Sequence, residues 1–238
     1  MSSIQSNPVT VSGSFVPQAT LPLNQGDHLS RDEFERRYSA MPNVKKAELI
    51  EGVVHMPSPV THQQHGQQHF DIVFWLGLYR LFTPGVEGGD NSTLKLDAKN
   101  EPQPDAFLMI KPQHGGQVRL ENAYLLGAPE LIAEVSASSA SYDLHSKLES
   151  YRRNHVREYV VWRVLENAID WFVLEKERYE PLPADEGICR SRVFPGLWLD
   201  VPAMLNGDMA RVFAAVQQGV ATDEHRRFVA ELAQRAAT

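Results

Sequence analysis

The stretch from Pro104 to Lys147 restricts what this chain can become more than any other. Gln103-Pro104-Asp105 opens a short apolar run, Ala106-Phe107-Leu108-Met109-Ile110. A second run, Leu131-Ile132-Ala133, ends in Glu134-Val135-Ser136. Apolar runs of this length, bounded by turn residues, suit strands. A Ser-rich turn follows, and Asp143 and Lys147 stand four apart at the head of a helix-like segment. Two strands pairing side by side bring Asp105 and Glu134 close enough to share one ion. Two acids and a nearby lysine are the parts needed to hold a divalent cation and activate a water. Metal-dependent phosphodiester cleavage is therefore the leading expectation.

The rest of the chain supplies a frame for such strands. The stretch to about Asp27 is rich in Ser, Thr, Gln, Asn and Pro without a clear period, and reads as a flexible arm. Ser30-Arg31-Asp32-Glu33 reads as a capping box that starts a short helix reaching about Ala40, where Pro42 and Asn43 stop it. Ala47 to Met56 has strand character, with a bend or bulge at Glu51-Gly52. His62 to Phe82 reads as the main core helix, with Phe70, Val73, Phe74, Gly77, Leu78 and Leu81 on one face. Further strands are expected at Val86 to Leu96, Glu158 to Trp162, Ala168 to Leu174 and Cys189 to Phe194, with a helix at Leu144 to Asn154. Met209 to Gln217 and Asp223 to Arg235 read as a helical extension of a domain spanning 28–204. Helices alternating with strands in this way imply a mixed sheet flanked by helices.

Composition narrows the setting. The chain has 238 residues, 42% hydrophobic and 22% charged, enough for one sizeable core. No apolar run approaches the roughly 20 residues of a membrane span, and the first residues lack a signal peptide's basic start and apolar core. One cysteine, Cys189, excludes an internal disulfide framework and a multi-cysteine zinc site. A cytoplasmic location is the expectation. The net charge of -7 is not the basic footprint of a dedicated nucleic-acid binder. A metal ion and a local basic cleft can offset an acidic surface, so a nuclease stays open.

Hard cations such as Mg2+ or Mn2+ prefer carboxylate oxygens, and Mg2+ commonly uses one or two carboxylates plus waters and substrate phosphate. The Val135 carbonyl can add a ligand. Lys147 can orient or deprotonate the water, or neutralise charge building on the phosphate. The same residues also suit a structural role. Asp after a proline is common in turns, and Glu134 can simply pair with Lys147 or an arginine. His62, His65 and His69 share a helix face that suits either zinc or a polar helix start facing solvent or the cleft.

An ordered set of motifs goes further. Glu48-Leu49-Ile50-Glu51-Gly52, Pro57-Ser58-Pro59 with His62, Pro104-Asp105, Gly127-Ala128-Pro129-Glu130-Leu131, Glu134-Val135, Asp143 to Tyr151, and Val156-Arg157-Glu158-Tyr159 occur in one order. Together they resemble the Uma2-like bacterial family of restriction endonucleases, a branch of the PD-(D/E)XK nuclease superfamily, over about residues 30–200. The resemblance implies an α/β (α+β) restriction-endonuclease-like fold. It also implies metal ligands at Asp105 and Glu134, an upstream acid at Glu48 and a lysine at Lys147. The superfamily pattern places lysine two residues after the second acid. Here that position is Ser136, and Lys147 is the natural stand-in. Where family members often carry an acid after the first motif's glycine, this chain has Val53. Strand alternation puts Glu48 and Glu51 on opposite faces, and the motif favours Glu48 as the one in the cleft.

Further roles follow more loosely. His62 suits a supporting or phosphate contact, and Asp143 a helix cap or a brace for Lys147. Arg152 and Arg153 suit either a phosphate backbone or solvent, and the four tryptophans suit the core or an interface. The expected protein is a Mg2+- or Mn2+-dependent DNA endonuclease and a homodimer, with the C-terminal helices packed on the core or across the two-fold axis. Two alternatives remain: a degenerate nuclease fold that binds without cutting, and a dimeric structural or regulatory protein.

Overall fold

The computed structural model describes residues 20–56, 61–137 and 143–237. Most of the expected N-terminal arm, Pro57-Ser58-Pro59 and most of the Ser-rich turn lie outside them. Residues 20–27 do not behave as an arm. Leu23 is buried, and the Gly26 N–H donates to the Val54 carbonyl at 2.8 Å.

The expected start at Ser30 forms as helix α1, Arg31–Ser39, with the Ser30 hydroxyl accepting the Glu33 N–H. Strands β1, Glu48–Ile50, and β2, Val53–His55, make the expected hairpin. Its bend places both Glu51 and Gly52 at positive φ, and only Gly52 adopts that conformation without a side-chain penalty.

A six-stranded sheet carries the centre of the molecule. Its members are β3 (Val86–Gly89), β5 (Ala106–Ile110), β8 (Leu131–Ser136), β9 (Glu158–Arg163), β10 (Ala168–Glu175) and β11 (Arg178–Pro181). They lie in the order β11-β10-β9-β8-β5-β3. Only β8 and β9 are parallel, so the sheet is mixed, as expected. Their crossover begins with a wide turn at Asp143–Lys147 and continues as α3, Leu148–Arg153. β5 and β8 are buried along their whole lengths, which explains the unbroken apolar sequence of β5 and the apolar start of β8. A second, three-stranded sheet joins β4 (Leu94–Lys95), β7 (Tyr124–Leu126) and β6 (Arg119–Glu121). The expected long strand Val86 to Leu96 is therefore broken between two sheets. Similarly, Cys189 to Phe194 keeps only Ile188–Arg190, β12, which pairs with β13, Trp198–Asp200.

Helix α2, Gln67–Phe82, crosses one face of the sheet after a wide turn at His62–Gly66. Its inward face differs from the expected one. Ile72, Trp75, Leu76 and Tyr79 are buried, while Phe70 and Leu81 are more than 70% exposed. The helix is apolar on more than one side, so spacing alone could not choose the buried stripe. Trp75 settles it: its ring meets Trp171 edge-on at 5.4 Å, and its N–H donates to the Trp198 carbonyl at 2.9 Å. Helix α4, Val201–Leu205, leads to α5, Met209–Val220, and α6, Asp223–Ala236. Val212, Val216, Phe228 and Leu232 enter the same core as Trp75, Tyr79 and the sheet. The expected C-terminal extension thus completes the main core. Phe228 meets Phe194, and His225 joins Thr83 through a buried contact of 3.0 Å.

Candidate functional site

Antiparallel pairing of β5 with β8 sets Ala106 opposite Ala133 and so brings Asp105 beside Glu134. Each carboxylate faces a backbone N–H at or next to the other acid. Asp105 Oδ2 accepts the Val135 N–H at 2.9 Å, and Glu134 Oε2 stands 3.4 Å from the Asp105 nitrogen. Lys147 arrives from the crossover turn between β8 and α3. Its Nζ lies 2.9 Å from Glu134 Oε1 and 3.2 Å from Glu48 Oε1. Glu48, at the start of β1, also accepts the Gln103 N–H at 2.7 Å. Tyr151, one turn beyond Lys147 on α3, donates to Glu134 Oε1 at 2.8 Å. Glu48, Asp105, Glu134 and Lys147 are all buried.

These contacts locate the sequence candidates. Asp105, Glu134, Glu48 and Lys147 meet in one cluster, with Val135 donating its N–H into it. Glu51 points away and pairs with Arg153, while Arg152 pairs with Glu149 at 2.6 Å. Ser136 is buried at the end of β8, where its carbonyl accepts the Val164 N–H. Asp143 begins the turn that carries Lys147; its side chain lies outside the described residues. His62 is exposed and is not among the contacts of the cluster. His65 in the turn at His62–Gly66 and His69 in the first turn of α2 face it instead, stacked 5.7 Å apart. His65 Nε2 lies 3.1 Å from Asp105 Oδ2, and His69 Nε2 lies 2.8 Å from the Asp105 carbonyl.

Sequence reasoning missed His65, Lys46 and Tyr151 as partners of the acids. Lys46 Nζ stands 3.6 Å from Asp105 Oδ1. The four-residue spacing of Lys147 and Tyr151 was the available signal for the tyrosine, since it puts both on one helix face. No comparable signal linked Lys46 to a residue so far along the chain.

Burial pushes the Asp105 carboxyl up, but the His65 hydrogen bond and the charges of Lys46, His65 and Lys147 together bring it below the usual carboxylate range. It is therefore ionised at neutral pH. Other buried acids show the contrast. Glu130 and Glu158 are pushed up by burial and are occupied as caps for backbone N–H groups, Glu130 for Ile110 and Glu158 for Arg192 and Val193. Among the described residues, only the Glu48–Asp105–Glu134 group crowds several carboxylates around one buried ammonium.

Among the described residues, no three His, Cys, Asp or Glu side chains form a metal-binding group. The donor chemistry at Asp105 and Glu134 nevertheless suits a hard cation. Two carboxylates, with a carbonyl at Val135, match the few protein ligands that Mg2+ takes while keeping its waters. Three buried carboxylates face Lys147 and the partly exposed Lys46, one more carboxylate than ammonium, an excess that a bound cation would offset.

Paired acids on adjacent strands, with a lysine from the crossover, sit on a mixed sheet flanked by helices, an α+β fold. Residues 31–202 match the Uma2 family model, described as putative restriction endonuclease, and the chain belongs to that family. No curated protein matches the chain. Among solved structures, a protein from Anabaena variabilis, described as a putative nuclease belonging to DUF820, shares the fold. That match has a TM-score of 0.51 and 12% identity, covering 76% of this chain and 97% of the other. No helix among the described residues is long and apolar enough to cross a membrane.

Proposed function

We propose that the protein is a metal-dependent endonuclease that hydrolyses DNA phosphodiester bonds. The observation that carries this reading is the meeting of Asp105, Glu134 and Lys147 in one buried cluster. Asp105, Glu134 and the Val135 carbonyl would hold Mg2+ or Mn2+, with Glu48 close by through Lys147. When bound, the ion supplies charge stabilisation at the phosphate and a more acidic water.

The chain's own groups set the geometry. Val135 and His65 fix the Asp105 carboxylate from two sides. Tyr151 and Lys147 fix Glu134. Lys147 donates to Glu134 and Glu48, so its ammonium sits where charge builds on a phosphate in the cleft and can stabilise it. Lys46 can neutralise a second phosphate oxygen beside Asp105. A cytoplasmic location and a homodimer belong to the same reading. The C-terminal helices bury Val212, Val216, Phe228 and Leu232 inside the chain. The exposed α2 stripe of Phe70, Phe74 and Leu81 is therefore the better two-fold surface.

Asp105→Asn tests the reading. The carboxamide keeps the shape but loses the charge that holds a hard cation. Cleavage of plasmid with Mg2+ or Mn2+ should fall on the order of 100-fold or more. Glu134→Gln should behave alike, with the double variant scarcely worse. Wild-type cleavage that persists unchanged in Asp105→Asn would falsify the assignment. A wild type with neither cleavage nor calorimetric Mn2+ binding would favour a nuclease fold that binds without cutting.

A further inference from the structure

Beside the carboxylates lies a recess that the hydrolytic cluster does not use. It has a volume of about 410 Å3 and lies between the segment after α1 and the β4–β7 strands. That is within the size range of ligand sites. Tyr38, Lys45, Thr93, Lys95, Gln103 and Tyr124 line it. Its wall is shared with the cluster. Gln103 gives its backbone N–H to Glu48 and its side-chain amide to Thr93 Oγ1 at 3.2 Å. Asn91, also in the wall, accepts from Lys46 at 3.3 Å and stands 3.5 Å from His69 Nε2. Both Lys46 and His69 contact Asp105.

The lining has a definite chemistry. The Lys95 ammonium lies 4.4 Å over the Tyr124 ring, and Tyr124 is still 45% exposed. Glu35, in the same wall, is paired with Lys95 at 2.7 Å and with Arg31 at 3.2 Å. Burial, and then the adjoining Glu35, push the Glu101 carboxyl up to about 8. Glu101 is therefore largely uncharged at neutral pH, and Lys45 and Lys95 give the recess a net positive character. A tyrosine ring still half exposed beside the Lys95 ammonium, with Lys45 in the same wall, is the equipment for stacking a base and holding its phosphate.

We propose that this recess is a nucleotide subsite, receiving the base next to the scissile phosphate and stacking it on Tyr124, with Lys45 and Lys95 toward the backbone. The proposal rests on the nuclease reading and deepens it. A base seated here has left the duplex stack, so the substrate is single-stranded or locally opened DNA. Stacking on an aromatic face tolerates any base, so the subsite selects strandedness rather than sequence.

The test uses the full chain in chelator, where no cleavage occurs. A fluorescein-labelled single-stranded oligonucleotide containing 2-aminopurine reports binding by anisotropy and stacking by quenching. Wild type should bind and quench. Tyr124→Ala should bind about tenfold more weakly and lose the quenching, and Tyr124→Phe should keep both. Equal affinity and quenching in Tyr124→Ala, or no oligonucleotide binding by wild type, would overturn the subsite. Plasmid cleavage by wild type and Asp105→Asn is scored separately. Wild type that binds and quenches but never cleaves overturns the nuclease reading alone. Cleavage that depends on Asp105, with Tyr124→Ala unchanged in binding, overturns the subsite alone.

Discussion

The Glu35–Glu101 pair makes stability depend on pH in a way that Glu101→Gln should reveal. Glu101 is buried, and its carboxyl is raised from 4.5 to about 8, first by burial and then by Glu35. Glu35 sits below the usual range; burial pushes it up, and Lys95, Glu101 and Arg31 outweigh that. The pair therefore shares one proton and titrates as a unit. A raised acid keeps its proton in the folded state while the unfolded chain has lost it. Its contribution is full below the unfolded value and falls as pH rises to about 8. Each pH unit of that span costs about 1.4 kcal/mol, so Glu101 alone would lose on the order of 5 kcal/mol. Glu35 works in the opposite direction, but its gain is complete by the unfolded value of 4.5 and stays constant above pH 5. The loss between pH 5 and pH 9 is therefore that of Glu101 over about three pH units, roughly 4 kcal/mol. Glutamine keeps the shape and has no proton to lose. The stability of Glu101→Gln minus that of wild type should therefore rise by that amount over the same range. Urea unfolding followed by tryptophan fluorescence at several pH values measures it. Parallel wild-type and variant curves would refute the shared-proton account.

Two further perturbations reach other parts of the molecule. Lys147→Ala leaves Glu48 and Glu134 buried without the ammonium between them, and should cost about 3–5 kcal/mol of stability. In a thermal melt, added Mn2+ should recover part of that loss, and a melt unmoved by Mn2+ in both forms would count against a cation at this cluster. Phe74→Glu on the exposed α2 stripe should keep the folded circular dichroism spectrum and shift light scattering from dimer to monomer. A wild type that is monomeric at every concentration would rule out the dimer.

What the sequence made legible follows from how local each determinant was. β5, β8 and β9 announced themselves because burial on both faces demands an apolar residue at nearly every position. Asp105 and Glu134 could be placed beside each other because each sits at the end of such a strand. The inward face of α2 was not legible. Phe70, Phe74 and Leu81 form as good a stripe as Ile72, Trp75 and Tyr79, and the choice depends on Trp171 and Trp198, about 100 residues further on. The histidines illustrate the same limit. Spacing put His62, His65 and His69 on one face, but the wide turn at His62–Gly66 leaves the first in solvent, while His65 from that turn and His69 from the start of α2 reach Asp105. The β4–β7–β6 sheet escaped notice because its strands are two or three residues long and largely exposed or half-buried.

The closure of the core by α5 and α6 has a consequence during biosynthesis. Every residue of the carboxylate cluster, from Glu48 to Tyr151, leaves the ribosome before Met209–Val220 and Asp223–Ala236 have been made. The sheet and α2 can then meet while Trp75, Tyr79 and Phe194 still lack the helices that cover them. At about 5–20 residues per second that interval lasts roughly seconds. A nascent chain in that interval carries its acids already placed and an apolar flank still open to solvent or to a chaperone. Stalled translation or proteolysis between α4 and α6 would strand it there. Its greatest exposure to misassembly therefore falls late in synthesis, after the site has formed and before the flank is sealed.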